Sequence, residues 1–245
     1  LSIVPYKDFK KVSTALKNVG GFNYIAKDLD ELIDSPIEIG NQQVWNFKVN
    51  NIPHQIAFFG QAKVDSLKFI ADVIKMAETA QQVVGQHPCD HYVFIIHNIQ
   101  RGTGGLEHLY STTCSVSRSA YETPGGYQGV LNLLAHEYFH LWNVKRIRPI
   151  ALGPFDYENE NYTHNLWFSE GITSYYADVI NLRTKMVSPD SYLNDLGKEI
   201  VDTNFILKNL NNDRYKQAQN IIKTIRKILV NKLEKQGLKY QELSF

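Results

Sequence analysis

A chain of 245 residues, 43% hydrophobic and 12% aromatic, has the bulk for one large core or two small ones, which excludes a disordered polypeptide. Its 26 lysines and arginines nearly cancel 25 aspartates and glutamates, for a formal charge of +1, so no overall field draws it to nucleic acid or to an anionic membrane. No apolar run approaches the ~20 residues of a membrane-crossing helix, and the two cysteines, Cys89 and Cys114, are too few for a disulfide framework; they read as two thiols, a single bridge being the alternative.

In chain order, residues 43–49 and 54–59 alternate apolar and polar positions around Asn50, Asn51 and Pro53, the pattern of a β-hairpin. Over 64–84 the apolar Leu67, Ile70, Ala71, Ile74 and Ala77 recur at helical spacing, and Gly85 with Pro88 ends the run. Residues 92–96 predict a short strand, and glycine-rich 102–105 leads into 106–117, expected to be a sheet-edge strand able to bind peptides. After Pro124, Gly125 and Gly126 the stretches 127–144, 165–182, 192–210 and 217–233 carry helical periodicity. The expectation is an α+β fold: a β-rich part over about 1–126 with a mixed sheet and an edge strand, a helical part over about 127–245, and an active-site cleft between them.

His136-Glu137-Tyr138-Phe139-His140 fits H-E-x-x-H, and Leu131, Leu134, Tyr138 and Leu141 mark the buried face of its helix. Histidines four apart share one helix face, where two imidazoles can bind one Zn²⁺ at about 2.0–2.1 Å. Glu137 is then free to work as general base. In Leu166-Trp167-Phe168-Ser169-Glu170-Gly171 one acid stands in an otherwise apolar helix start, where an unpaired carboxylate is costly to bury. A third metal ligand explains it; favouring the positive helix N-terminus is the alternative for Glu170 taken alone. Thr173 and Ser174, three and four residues on, can support a zinc ligand by hydrogen bonding or be ordinary helix hydroxyls. Lys145, Arg146 and Arg148 suit the negative helix end, with a substrate carboxylate as the other reading. The amphipathic 217–233 reads as a helix packed on a core, a membrane-surface helix being the alternative.

The run from His136 to Pro149, then Leu152-Gly153-Pro154-Phe155-Asp156-Tyr157, residues 166–176, Asp34-Ser35-Pro36-Ile37-Glu38-Ile39-Gly40 and Gly104-Gly105-Leu106-Glu107-His108 together resemble the glycyl aminopeptidase family, zinc metallopeptidases of the gluzincin group, over about residues 4–200. The resemblance implies a thermolysin-like zincin catalytic domain spanning 1–245, with the family's upstream β domain and trailing PDZ domain lying outside it. It implies one Zn²⁺ per chain, held by His136, His140 and Glu170. It further implies a soluble bacterial enzyme, cytoplasmic or periplasmic, that removes N-terminal glycine or alanine from peptides. By likeness to related aminopeptidases, Gly104, Gly105 and Glu107 belong to an edge strand that pairs with substrate backbone while Glu107 binds the free α-amine. The family's downstream Tyr-Tyr-x-Lys-Gly segment, whose tyrosine resembles an oxyanion donor, has no counterpart here. After about Val201 the chain runs lysine-rich and unlike the family, with Tyr215 and Tyr240 as the remaining tyrosines. A zinc- and peptide-binding domain of impaired catalysis is therefore the alternative function. Nothing in the sequence sets the oligomeric state.

Overall fold

The computed structural model describes residues 1–208. Two small antiparallel ladders open the chain: β1 (Lys11–Thr14) pairs with β4 (Ile37–Gly40), and β2 (Lys17–Gly20) with β3 (Asn23–Ile25), with the short helix α1 (Leu29–Ile33) between β3 and β4. The predicted hairpin follows as β5 (Gln43–Val49) and β6 (Ile52–Phe59). Asn50 and Asn51 make its two-residue turn at φ 47° and 68°, a left-handed pair that asparagine tolerates better than most side chains.

Helix α2 (Ser66–Val84) starts where Asp65 accepts hydrogen bonds from the backbone N–H groups of Leu67 and Lys68, and ends at Gly85 with φ 114°. It carries the chain across to β7 (Tyr92–Ile99), which lies parallel to β6. The chain then runs out to β8 (Thr103–Glu107) and returns as β9 (Ser111–Ser117), completing a five-stranded mixed sheet of order β5-β6-β7-β9-β8. Here the structure corrects the sequence reading. The edge strand is Thr103–Glu107 itself, whereas Ser111–Ser117 is interior, parallel to β7 on one side and antiparallel to β8 on the other. Gly104, Gly105 and Glu107 lie on this edge strand, the place that their likeness to related aminopeptidases implies.

Helix α3 (Pro124–Phe139) packs on this sheet. Thr123 caps it by accepting from Gly126 N–H, and Pro124 occupies the first turn, where its missing N–H costs nothing. Leu131, Leu134, Tyr138 and Leu141 are each at most 2% exposed, and they join Phe58, Phe69, Phe94 and Met76 in the main core. The helix was expected over 127–144; it ends at Phe139, with His140 as its cap. Tight turns follow, and Val144 takes φ 132°, a strained value for a β-branched residue. Helix α4 (Leu166–Arg183) lies against α3 through buried Ala177 and Ile180. The chain divides into two compact units, Leu1–Ser188 and Pro189–Phe245. Helix α5 (Pro189–Lys208) opens the second, and the expected helix over 217–233 falls outside the described residues. The sheet, α3, α4 and the site all belong to the first.

Candidate metal centre

Helical spacing on α3 sets His136 and His140 one turn apart, with their Nε2 atoms 3.1 Å from each other. From the second turn of α4, Glu170 brings Oε2 to 3.2 Å from His136 Nε2 and 3.7 Å from His140 Nε2. A tetrahedral ion with bonds of about 2.0–2.1 Å holds neighbouring ligand atoms roughly 3.3 Å apart, so this triangle already has the size of one face of such a site. The donor set, two imidazoles and a carboxylate, is that of a catalytic zinc centre with a position left open.

The tautomer of His140 fits the same use. Its Nδ1 lies 2.8 Å from the backbone oxygen of Asn143; a carbonyl only accepts, so Nδ1 carries the proton and Nε2 keeps the lone pair. The Asn143 side chain donates from Nδ2 to Ser169 O at 2.9 Å and to Thr173 Oγ1 at 3.0 Å, tying the exit of α3 to the turn of α4 that carries Glu170. Thr173 Oγ1 also lies 3.3 Å from His140 Nδ1, and Ser174 Oγ 3.4 Å from His136 Nδ1.

Glu137 points the other way, toward β8. It is 4% exposed and its Oε2 has no hydrogen-bond partner among the described residues. Burial, reinforced by the nearby carboxylates of Glu107 and Glu170, pushes its pKa from 4.5 up to about 8. Gly105 makes room for it: a Cβ there would overlap the Glu137 carboxyl group, whereas a Cβ at Gly104 would meet nothing within 4 Å. The second glycine of β8 is therefore a packing requirement of Glu137. Glu107 ends the strand, and carboxylate oxygens of Glu107 and Glu137 lie with the His140 ring nitrogen within 4.8 Å of one another.

A recess of about 90 Å³ opens beside these groups, lined by Glu107, Glu170, Lys145, Arg148, Leu152 and Phe155 among others. Of the three cations after α3, Arg146 donates to Leu141 O at 2.8 Å, a carbonyl just beyond the helix end. Lys145 Nζ pairs instead with Asp34 at 2.9 Å, and the Arg148 guanidinium lies over the Phe155 ring. Asp34 also accepts from Leu109 N–H at 2.8 Å and from His108 Nδ1 at 3.1 Å. Together these bonds hold its carboxyl below the usual range despite burial.

Sequence reasoning brought His136, Glu137, His140, Glu170 and Glu107 to one place but passed over Asn143 and Asp34. It also found no use for His54 and His87, whose Nε2 atoms bracket the buried Tyr138 hydroxyl at 2.9 and 2.8 Å on the core side of α3. Burial lowers the pKa of His54 to about 4. Tyr215 and Tyr240 lie outside the described residues.

Residues 129–240 match the family model of the M61 glycyl aminopeptidase, and residues 1–41 match the peptidase M61 N-terminal domain. The first match runs through the lysine-rich stretch after Val201 that reads as unlike the family, so the departure there is one of a tyrosine motif and not of family membership. A solved structure of an aminopeptidase N family protein from Idiomarina loihiensis is 34% identical with a TM-score of 0.70, over 74% of this chain and 33% of that one. The present chain thus spans about a third of that relative's length. No curated protein matches.

Proposed function

Because this chain belongs to the glycyl aminopeptidase family, we propose that it is the thermolysin-like catalytic part of a zinc-dependent aminopeptidase that releases an N-terminal glycine or alanine from peptides. The observation that supports this reading is that ligand atoms of Glu107, Glu137 and His140 lie within 4.8 Å of one another, as an amine-binding carboxylate, a base and a metal ligand would need to.

His136, His140 and Glu170 would hold the zinc, with Asn143 fixing the His140 tautomer. Zinc in that position supplies Lewis-acid activation of water and of the scissile carbonyl. Among the described residues β8 pairs only with β9, and its outer edge there is open to hydrogen-bond an extended peptide. Glu107 at the end of that edge binds the α-ammonium by a charge-assisted bond, which limits cleavage to the first peptide bond. The recess beside Glu107 and Glu170 is small, in keeping with a glycyl or alanyl side chain. The unpartnered Oε2 of Glu137 takes a proton from the attacking water and returns it to the leaving nitrogen.

The test is release of glycine from a free and an N-acetylated glycyl peptide, with zinc content measured alongside and Glu137→Gln as control. Cleavage of the free peptide alone, lost in the control with zinc retained, supports the reading. Bound zinc without cleavage of either peptide selects the zinc- and peptide-binding domain, and equal cleavage of both refutes the role of Glu107.

A further inference from the structure

We propose that Glu107 and Glu137 form a second, weaker site for a divalent cation, beside the centre of His136, His140 and Glu170, which is filled in competition with an ammonium group. Only the competition rests on the proposed role of Glu107; the cation site rests on the arrangement of the two carboxylates.

Carboxylate oxygens of Glu107 and Glu137 and a ring nitrogen of His140 lie within 4.8 Å of one another, close enough for one ion to be shared after small side-chain movements. Among the described residues Glu137 Oε2 is a buried acceptor with no donor, and a buried anionic oxygen is costly until a proton donor or a cation reaches it. His140 cannot serve two ions: its Nδ1 donates to Asn143 O, so Nε2 has the single lone pair, and it lies nearer to His136 and Glu170. A second ion is left with two carboxylates and water. That is a hard oxygen set, weaker for zinc than the set with two imidazoles.

Charge points the same way. Glu107 and Glu170 both act on Glu137 through their charge, and with all three carboxylates ionised one divalent ion leaves one negative charge uncompensated. Lys145 is already paired with Asp34 and Arg148 lies over Phe155, so neither removes it. An ammonium group neutralises that charge by sitting on Glu107; a second divalent ion seeks the same two carboxylates. Excess metal then covers the amine anchor and the base at once.

The experiment is equilibrium dialysis against rising Zn²⁺ with elemental analysis, on the wild type, Glu107→Gln and Glu137→Gln, with and without glycinamide. The wild type is expected to take up a second equivalent at higher Zn²⁺ than the first. Each variant is expected to keep the first, which shows the site is folded, and to lose the second, and glycinamide is expected to displace the second from the wild type. Adventitious sites such as the half-buried His97–Glu38 pair and the His91–Asp90 pair count equally in all three proteins and cancel in the difference. Equal uptake by all three, or loss of the first equivalent in both variants, would overturn the second site. Failure of glycinamide to displace a second equivalent that both variants lack would overturn the competition alone.

Discussion

Replacing Gly105 by alanine tests the tie between β8 and the catalytic base. The backbone of Gly105 lies outside the left-handed region and the three atoms nearest to a methyl group there all belong to the Glu137 side chain, so the substitution brings an overlap without backbone strain. Inserting a methyl group into packed surroundings costs about 1–3 kcal/mol. Glu137 can give way more readily than a strand hydrogen-bonded along its length to β9, and a displaced general base costs roughly 10²- to 10⁴-fold in turnover. Steady-state kinetics on glycyl p-nitroanilide should therefore show Gly105→Ala with kcat down by about that factor. Zinc content should be unchanged, because the atoms nearest the methyl belong to Glu137 and not to His136, His140 or Glu170. Gly104→Ala is the partner measurement: its Cβ enters open space, so stability should stay within about 0.5 kcal/mol, and any kinetic loss should fall on KM, where substrate backbone approaches the strand. Full kcat in Gly105→Ala, or a loss of kcat matched by a loss of zinc, would refute this account.

Glu107→Gln should lower kcat/KM for free-amine substrates by roughly 10- to 150-fold, the worth of one charge-assisted hydrogen bond of about 1.5–3 kcal/mol, mainly through KM, and competition between free and acetylated peptides checks the selectivity. Asn143→Ala leaves the backbone oxygen that holds His140 but removes the bonds to Ser169 and Thr173; metal affinity should fall about 10- to 100-fold, read by titration with a chelator. In metal-free protein, Glu137 holds its proton up to a pKa of about 8 against 4.5 for the free group. The folded state then binds more protons than the unfolded state between those values, and this group makes thermal stability fall as pH rises from about 4.5 to 8. Glu137→Gln should flatten that slope, and a metal-free Tm profile with the same slope in both proteins would refute the assignment.

What could be read from the sequence follows the range of the interactions. The spacing of His136 and His140, and the apolar face of Leu131, Leu134 and Tyr138, are local consequences of helical geometry, and the structure has both. The hairpin was equally legible, because two asparagines between alternating segments leave few other conformations. The edge placement of Gly104, Gly105 and Glu107 came from likeness to related aminopeptidases and not from periodicity, because the reason for Gly105 is a side chain 32 positions later. Asp34 and Lys145 are 111 residues apart, and the bracketing of Tyr138 joins His54 and His87 from separate parts of the chain. No periodicity reports such pairs. The early end of α3 escaped because residues 140–144 keep an apolar, helix-like composition while folding as turns.

The open side of β8 has a colloidal consequence. Unpaired backbone donors and acceptors that can receive a peptide can also receive the same strand of another copy, so the protein carries a template for edge-to-edge association at its active site. Its defences are visible in the strand: only five residues, two glycines that form a poor sticky surface, and a terminal carboxylate that would face its own like in a parallel, in-register pair. Filling the glycines with β-branched residues would remove the room for Glu137 and most of that protection together, so solubility and catalysis at this edge are maintained by the same small residues.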